Sequence, residues 1–147
     1  MNRTVLAALF CVLAVSMLDA HVTVAPRESQ AGSEQRYTMQ VPTEGQVTTT
    51  SVELEVPPGV TIVEVVTGDG YTFATRKDGD RIVAITWTRD IPPRQSAAFA
   101  FVARNPDTAQ IAWKARQRFA DGTSVDWVGV EGDRRPAAVT KLSPARP

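Results

Sequence analysis

Apolar and polar side chains alternate along most of this chain. Tyr37, Met39 and Val41 face one way against Arg36, Thr38 and Gln40, the period-2 signature of a half-buried strand. Val52, Leu54 and Val56 repeat the pattern against Glu53 and Glu55, and Val83, Ile85 and Trp87 share a face within 81–88. Across 111–119, Ile111, Trp113 and Ala115 oppose Lys114, Arg116 and Arg118. The same reading predicts strands over 21–25, 60–67, 71–76 and 123–130. The stretch 95–103 is apolar on both faces, with Phe99 and Phe101 on one and Ala98, Ala100 and Val102 on the other, as a central sandwich strand would be. Asp78-Gly79 and Asp121-Gly122 read as hairpin turns. Residues 27–33 are polar and read as a loop, and 141–147 as a frayed, disordered tail. No convincing 3.6-residue period occurs after residue 20. Roughly eight to ten short strands at this spacing imply an all-β fold, an immunoglobulin-like antiparallel β-sandwich over 21–140.

The first twenty residues follow a different pattern. Arg3 precedes an apolar run from Val5 to Leu18, and Ala20 follows it, the layout of a cleaved signal peptide. The run is about 14 residues, short of the ~20 that a membrane-spanning helix needs. Cleavage after Ala20 would make His21 the first residue of the mature domain. Leu18 is larger than the usual residue at that position, which leaves a cut after Ser16 as the alternative. Cys11, the one cysteine of the chain, would leave with the leader. The mature domain must then be held by its core rather than by disulfides. Acidic and basic residues balance at 16 each without a charge block, which argues against a nucleic-acid or anionic-membrane surface. The expected product is periplasmic or secreted, with no membrane anchor in the mature chain.

Composition narrows the chemistry. His21 is the one histidine of the chain, so there is no Ser/His/Asp triad, and no thiol nucleophile survives processing. No glycine-rich phosphate loop opens a helix. An N-terminal histidine, however, offers an α-amine and an imidazole on one residue, a bidentate nitrogen chelate. Such donors suit late first-row metals, with Cu(II) at the head of the affinity order, and they bind only when unprotonated. The competing reading of His21 is a surface histidine that happens to follow the leader. Oxygen donors would come from Glu28, Glu34 or Glu44, each of which read singly is a solvated acid. Trp127 shares a face with Val125, so core packing is its simpler reading; Trp87 and Trp113 are assigned to the core.

Several segments together resemble a known family. Ala20-His21-Val22-Thr23-Val24-Ala25-Pro26 stands at the leader junction, followed by Tyr37-Thr38-Met39-Gln40-Val41-Pro42-Thr43-Glu44. Thr49 to Pro57, Thr86-Trp87-Thr88, Phe101 to Asp107 and Asp121-Gly122-Thr123-Ser124-Val125-Asp126-Trp127 complete the set. Their order and spacing are similar to those of the YcnI-like family of secreted bacterial domains, over about residues 20–140. The resemblance implies an immunoglobulin-like sandwich that binds Cu(II) through a single-histidine brace. Carried over by position, His21 would supply amine and imidazole, Glu44 a carboxylate, and Trp127 the tryptophan lying against the metal. Gln35 stands where many members carry a glutamate, which leaves a second carboxylate, Glu28 or Glu34, open. The resulting expectation is a non-enzymatic copper-binding domain in copper buffering, acquisition or delivery, with a copper transporter or another periplasmic copper chaperone as partner. A protein- or glycan-binding interaction module is the alternative, and a copper oxidase or oxygenase a third, for which the second histidine of such enzymes is missing.

Overall fold

A computed structural model describes residues 21–147; the leader expected over 1–20 lies outside the described residues. Twelve strands run through the described residues: β1 (Thr23–Ala25), β2 (Glu28–Gln30), β3 (Glu34–Pro42), β4 (Thr49–Glu55), β5 (Thr61–Val65), β6 (Thr72–Asp78), β7 (Arg81–Ile91), β8 (Ser96–Arg104), β9 (Gln110–Trp113), β10 (Ala115–Phe119), β11 (Ser124–Trp127) and β12 (Ala138–Ser143). No helix occurs among them. One sheet has the order β1-β3-β8-β5, the second β11-β10-β4-β7-β6 and the third β2-β12-β9.

Alternation decides what each sheet buries. Tyr37, Met39 and Val41 of β3 and Phe99, Phe101 and Ala103 of β8 meet Val52, Leu54, Ile85 and Trp87 of the second sheet in one core. Trp87 stacks on Phe99 with ring centroids 5.4 Å apart, and Trp113 of the third sheet meets Tyr37 edge-on at 4.9 Å. Trp87 and Trp113 are thus core residues, at 0 % and 1 % exposure. The β8 strand is central in its sheet, but its second face is not covered. Ala98 is exposed and Ala100 and Val102 are half-buried, because the sandwich packs against one side of that sheet.

Four other expectations need correction. The polar stretch 27–33 contains β2, which pairs in parallel with β12 through Lys141↔Glu28, Leu142↔Ser29 and Ser143↔Gln30. The pairing rests on backbone bonds to a remote strand, so it leaves no apolar alternation to read. The tail expected from Lys141 is correspondingly ordered as far as Ser143, and Leu142 is buried. The single strand expected over 111–119 is two, divided at Lys114. The first, β9, pairs with β12, whereas β10 pairs with β4 and β11, so the chain changes sheets while its alternation continues unbroken. These divisions also raise the strand number to twelve among the described residues.

Side-chain bonds lock the third sheet. Tyr37 donates its hydroxyl to Asn105 Oδ1 at 2.6 Å, while Asn105 Nδ2 donates to Ser29 Oγ at 2.9 Å and to the Gln30 carbonyl at 2.8 Å. Burial raises the Tyr37 phenol above its ordinary pKa, so the ring is a neutral donor.

Candidate metal centre

The site is best built outward from β10 and β11. Ala115 opposes Trp127, and Arg116 opposes Asp126 on the other face. Arg116 clamps Asp126 with Nε to Oδ1 at 2.6 Å and Nη2 to Oδ2 at 3.1 Å. That bond holds the Asp126 carboxyl below the usual carboxylate range and raises the guanidinium further. With Asp126 held outside, the period of two turns Trp127 inward. It is 4 % exposed and belongs to the core cluster.

The indole is then tied to a buried polar network. Trp127 Nε1 donates to Gln117 Oε1 at 3.1 Å, and Gln117 Nε2 donates to the Pro42 carbonyl at 2.9 Å and to Thr49 Oγ1 at 2.7 Å. Thr49 and Thr43 hydroxyls lie 2.6 Å apart, and Thr43 Oγ1 donates to the Ile91 carbonyl at 2.8 Å. Each hydroxyl has one proton. Thr43 gives its proton to Ile91, so Thr49 is the donor between the two threonines. The chain of donors therefore runs in one direction, from Gln117 through Thr49 and Thr43 to Ile91.

A β-bulge makes this possible. The register between β4 and β7 shifts between Thr49 and Ser51, so Thr49 is turned into the core at 0 % exposure. Re-aiming one side chain at a sheet margin is what such bulges do. The backbone of Thr43 is held as well. Its N–H donates to the Gln95 carbonyl at 2.9 Å, and its carbonyl accepts from the Arg94 N–H at 2.8 Å. Arg94 has a φ of 64°, a left-handed conformation that non-glycine residues adopt at some energetic cost.

Glu44 follows directly on this clamped segment. It lines a cleft of about 350 Å³ together with Gln46, Gln117, Trp127 and Arg135. His21 reaches the same end of the sandwich because Thr23 opposes Gln40 in antiparallel register. Running back from Thr23 therefore leads toward the Pro42 end of β3. The imidazole meets Trp127 edge-on, with ring centroids 5.7 Å apart and planes at 61°. His21 itself is not among the residues lining the cleft; Trp127 both lines it and meets the His21 ring.

The other two carboxylates lie elsewhere. Glu34 begins β3 and is paired with Arg104 at 2.7 Å, eight residue steps or about 26 Å along the strand from Pro42. Glu28 sits opposite Lys141 in the third sheet, and its neighbour Ser29 bonds Gln35 at the same remote end of β3. Among the described residues no three His, Cys, Asp or Glu side chains gather as a ligand set. At this end of the sandwich the imidazole of His21 meets the indole of Trp127, and Trp127 shares the lining of one cleft with Glu44. An imidazole is a donor that suits late first-row metals, copper among them, and a carboxylate can complete such a set with oxygen.

Gln117 is the site residue that sequence reading passed over. A signal was present: with Ile111, Trp113 and Ala115 inward, the same alternation turns Gln117 inward too. A glutamine on a buried face needs partners.

A family model described as a domain of unknown function, DUF1775, matches residues 21–145. The copper-binding protein CutI of Bacillus subtilis (strain 168) is 40 % identical over 132 residues, covering 87 % of this chain and 65 % of that protein. The chain thus spans just under two thirds of the length of that curated relative. An uncharacterized protein from Nocardia farcinica with an immunoglobulin-like fold superposes with a TM-score of 0.72 at 27 % identity, over 84 % of this chain and 99 % of that one. A non-cellulosomal cohesin from Archaeoglobus fulgidus shares the fold at a TM-score of 0.51 and 14 % identity, over 84 % and 90 % of the two chains.

Proposed function

The chain belongs to the DUF1775 family, the YcnI-like domains, and on that premise we propose that it binds one Cu(II) ion at His21 and serves copper buffering, acquisition or delivery. The observation that carries this reading is the convergence at one end of the sandwich. The imidazole of the chain's one histidine packs edge-on against Trp127, and Trp127 and Glu44 line one cleft. A relative named for copper binding supports the choice of metal. The reading includes export, with cleavage before His21 freeing its α-amine, and a non-enzymatic role in the periplasm or outside the cell. A copper transporter or another copper chaperone is the partner such a role requires.

Each residue then has a task. His21 supplies imidazole and amine, both of which must be unprotonated to bind. Glu44 supplies an anionic oxygen that offsets part of the ion's charge. Trp127 presents a buried indole that keeps water from one side of the imidazole. As cargo, copper needs no oxidation or acid–base step from the protein.

The test is an intact mass of the secreted protein with and without Cu(II), followed by competition titration of two forms. One begins at His21; the other carries a single extra residue ahead of it. We expect a mature mass beginning at His21, one copper per chain, and much weaker binding by the extended form. Glu44→Gln should weaken binding while leaving the metal-free melt unchanged. Equal affinity of the two N-terminal forms would overturn the chelate.

A further inference from the structure

We infer that Gln117 is the positioning residue of this site: its carboxamide joins the indole of Trp127 and the segment that bears Glu44 into one rigid unit. The inference rests on the proposed copper site and adds a residue to it that touches no metal.

Gln117 is 2 % exposed, and both of its donors and its carbonyl are engaged. Oε1 receives Trp127 Nε1 at 3.1 Å, while Nε2 serves the Pro42 carbonyl at 2.9 Å and Thr49 Oγ1 at 2.7 Å. These bonds leave one orientation for the amide. Turned over, its NH2 group would face the indole N–H, donor against donor, and its oxygen would face the Pro42 carbonyl, acceptor against acceptor. The side chain is therefore a bracket with two ends of opposite polarity. One end sets the rotation of the indole that packs against His21. The other grips Pro42 and, through Thr49, the hydroxyl of Thr43. Glu44 is the next residue along.

Thr43 bonds Ile91 and Thr49 of the second sheet, and Gln117 carries the tie on to Trp127. Trp127 lies on β11, at the edge of the second sheet, and Pro42 ends β3 of the first. The two sheets share no backbone ladder, so their relative placement at this end depends on side chains. Gln117 spans them with bonds between residues 75 and 10 positions apart in sequence. Partners that orient metal ligands without touching the metal are worth about 10–100-fold in affinity when removed.

The experiment compares Cu(II) affinity and the Cu(II) electron paramagnetic resonance spectrum in wild type, Gln117→Met and Trp113→Phe, all beginning at His21. Methionine keeps length and volume but cannot donate to Pro42 or Thr49, and offers the Trp127 N–H only a weakly accepting sulfur. Trp113→Phe is the control, since it weakens the core through Thr140 away from the site. We expect Gln117→Met to bind about 10–100-fold more weakly than wild type, with an altered spectrum. Trp113→Phe, although less stable, should keep both the affinity and the spectrum of wild type. If Gln117→Met does not fold, Thr49→Val removes one of the two acceptors of Gln117 Nε2 and the relay to Thr43, leaves the Pro42 and Trp127 bonds in place, and should give the same changes in smaller measure. Wild-type affinity and spectrum in a folded Gln117→Met or, failing that, in Thr49→Val overturn the positioning role and leave the copper site standing. Wild type that binds no Cu(II) overturns both.

Discussion

Two buried tryptophans allow a test of the packing in which the chemistry of the substitution is constant. Trp87 and Trp113 are both almost wholly buried, at 0 % and 1 %, and both lie among aromatic rings. They differ in one respect. Trp113 Nε1 donates to Thr140 Oγ1 at 3.0 Å, whereas Trp87 Nε1 is buried with no partner among the described residues. Replacing either by phenylalanine removes similar volume, costing on the order of 1 kcal/mol at ~24 cal/mol per Å³ of cavity. At Trp113 the lost bond adds roughly 1–2 kcal/mol. At Trp87 the substitution instead removes a buried unpaired donor, whose desolvation costs about 1–3 kcal/mol in the native state. Trp113→Phe should therefore lose about 2–3 kcal/mol, and Trp87→Phe should be close to neutral or stabilising. At roughly 4 °C per kcal/mol for a domain of this size, the two melts separate by about 8 °C or more. The assay is urea unfolding of each metal-free variant, compared at common slope. Equal losses in the two variants would refute the reasoning, because the indole N–H of Trp87 would then be contributing as much as that of Trp113.

Two further variants probe the Tyr37–Asn105 bond and the end of β12. Tyr37→Phe should cost about 1–3 kcal/mol by leaving Asn105 Oδ1 without its donor. It should also flatten the alkaline limb of the stability curve. Burial raises the Tyr37 pKa, so the folded state holds a proton that the unfolded chain releases; stability is intact below about pH 10 and falls as pH rises beyond it. Denaturation midpoints between about pH 8 and 11 measure this, and parallel slopes in wild type and variant would contradict it. Ending the chain at Thr140 removes buried Leu142 and the β2 partner residues; a loss of about 2 kcal/mol or more is expected. An unchanged melt would return those residues to the status of a tail.

What the sequence determines by itself is whatever is written at short range. A strand's inward face is set by a period of two, so Tyr37, Met39 and Val41, or Ile111, Trp113 and Ala115, could be assigned from neighbours alone. The hairpin turns at Gly79 and Gly122, both with positive φ, are equally local, since a glycine there adopts a conformation that other residues resist. His21 stood out because it is one of a kind in the chain. Tertiary structure decided the rest. The β2–β12 pairing joins backbone groups more than a hundred residues apart, through side chains with no apolar alternation. The change of sheet at Lys114 leaves the alternation intact and so has no local trace. The bulge that turns Thr49 inward depends on register with β7 and β10. Gln117 was visible as an inward glutamine, yet its partners, Pro42, Thr49 and Trp127, come from three different strands. A hydrogen bond needs its donor and acceptor within about 3 Å and aligned. Alternation specifies on which face a side chain lies; only the packed sheets determine what it meets there.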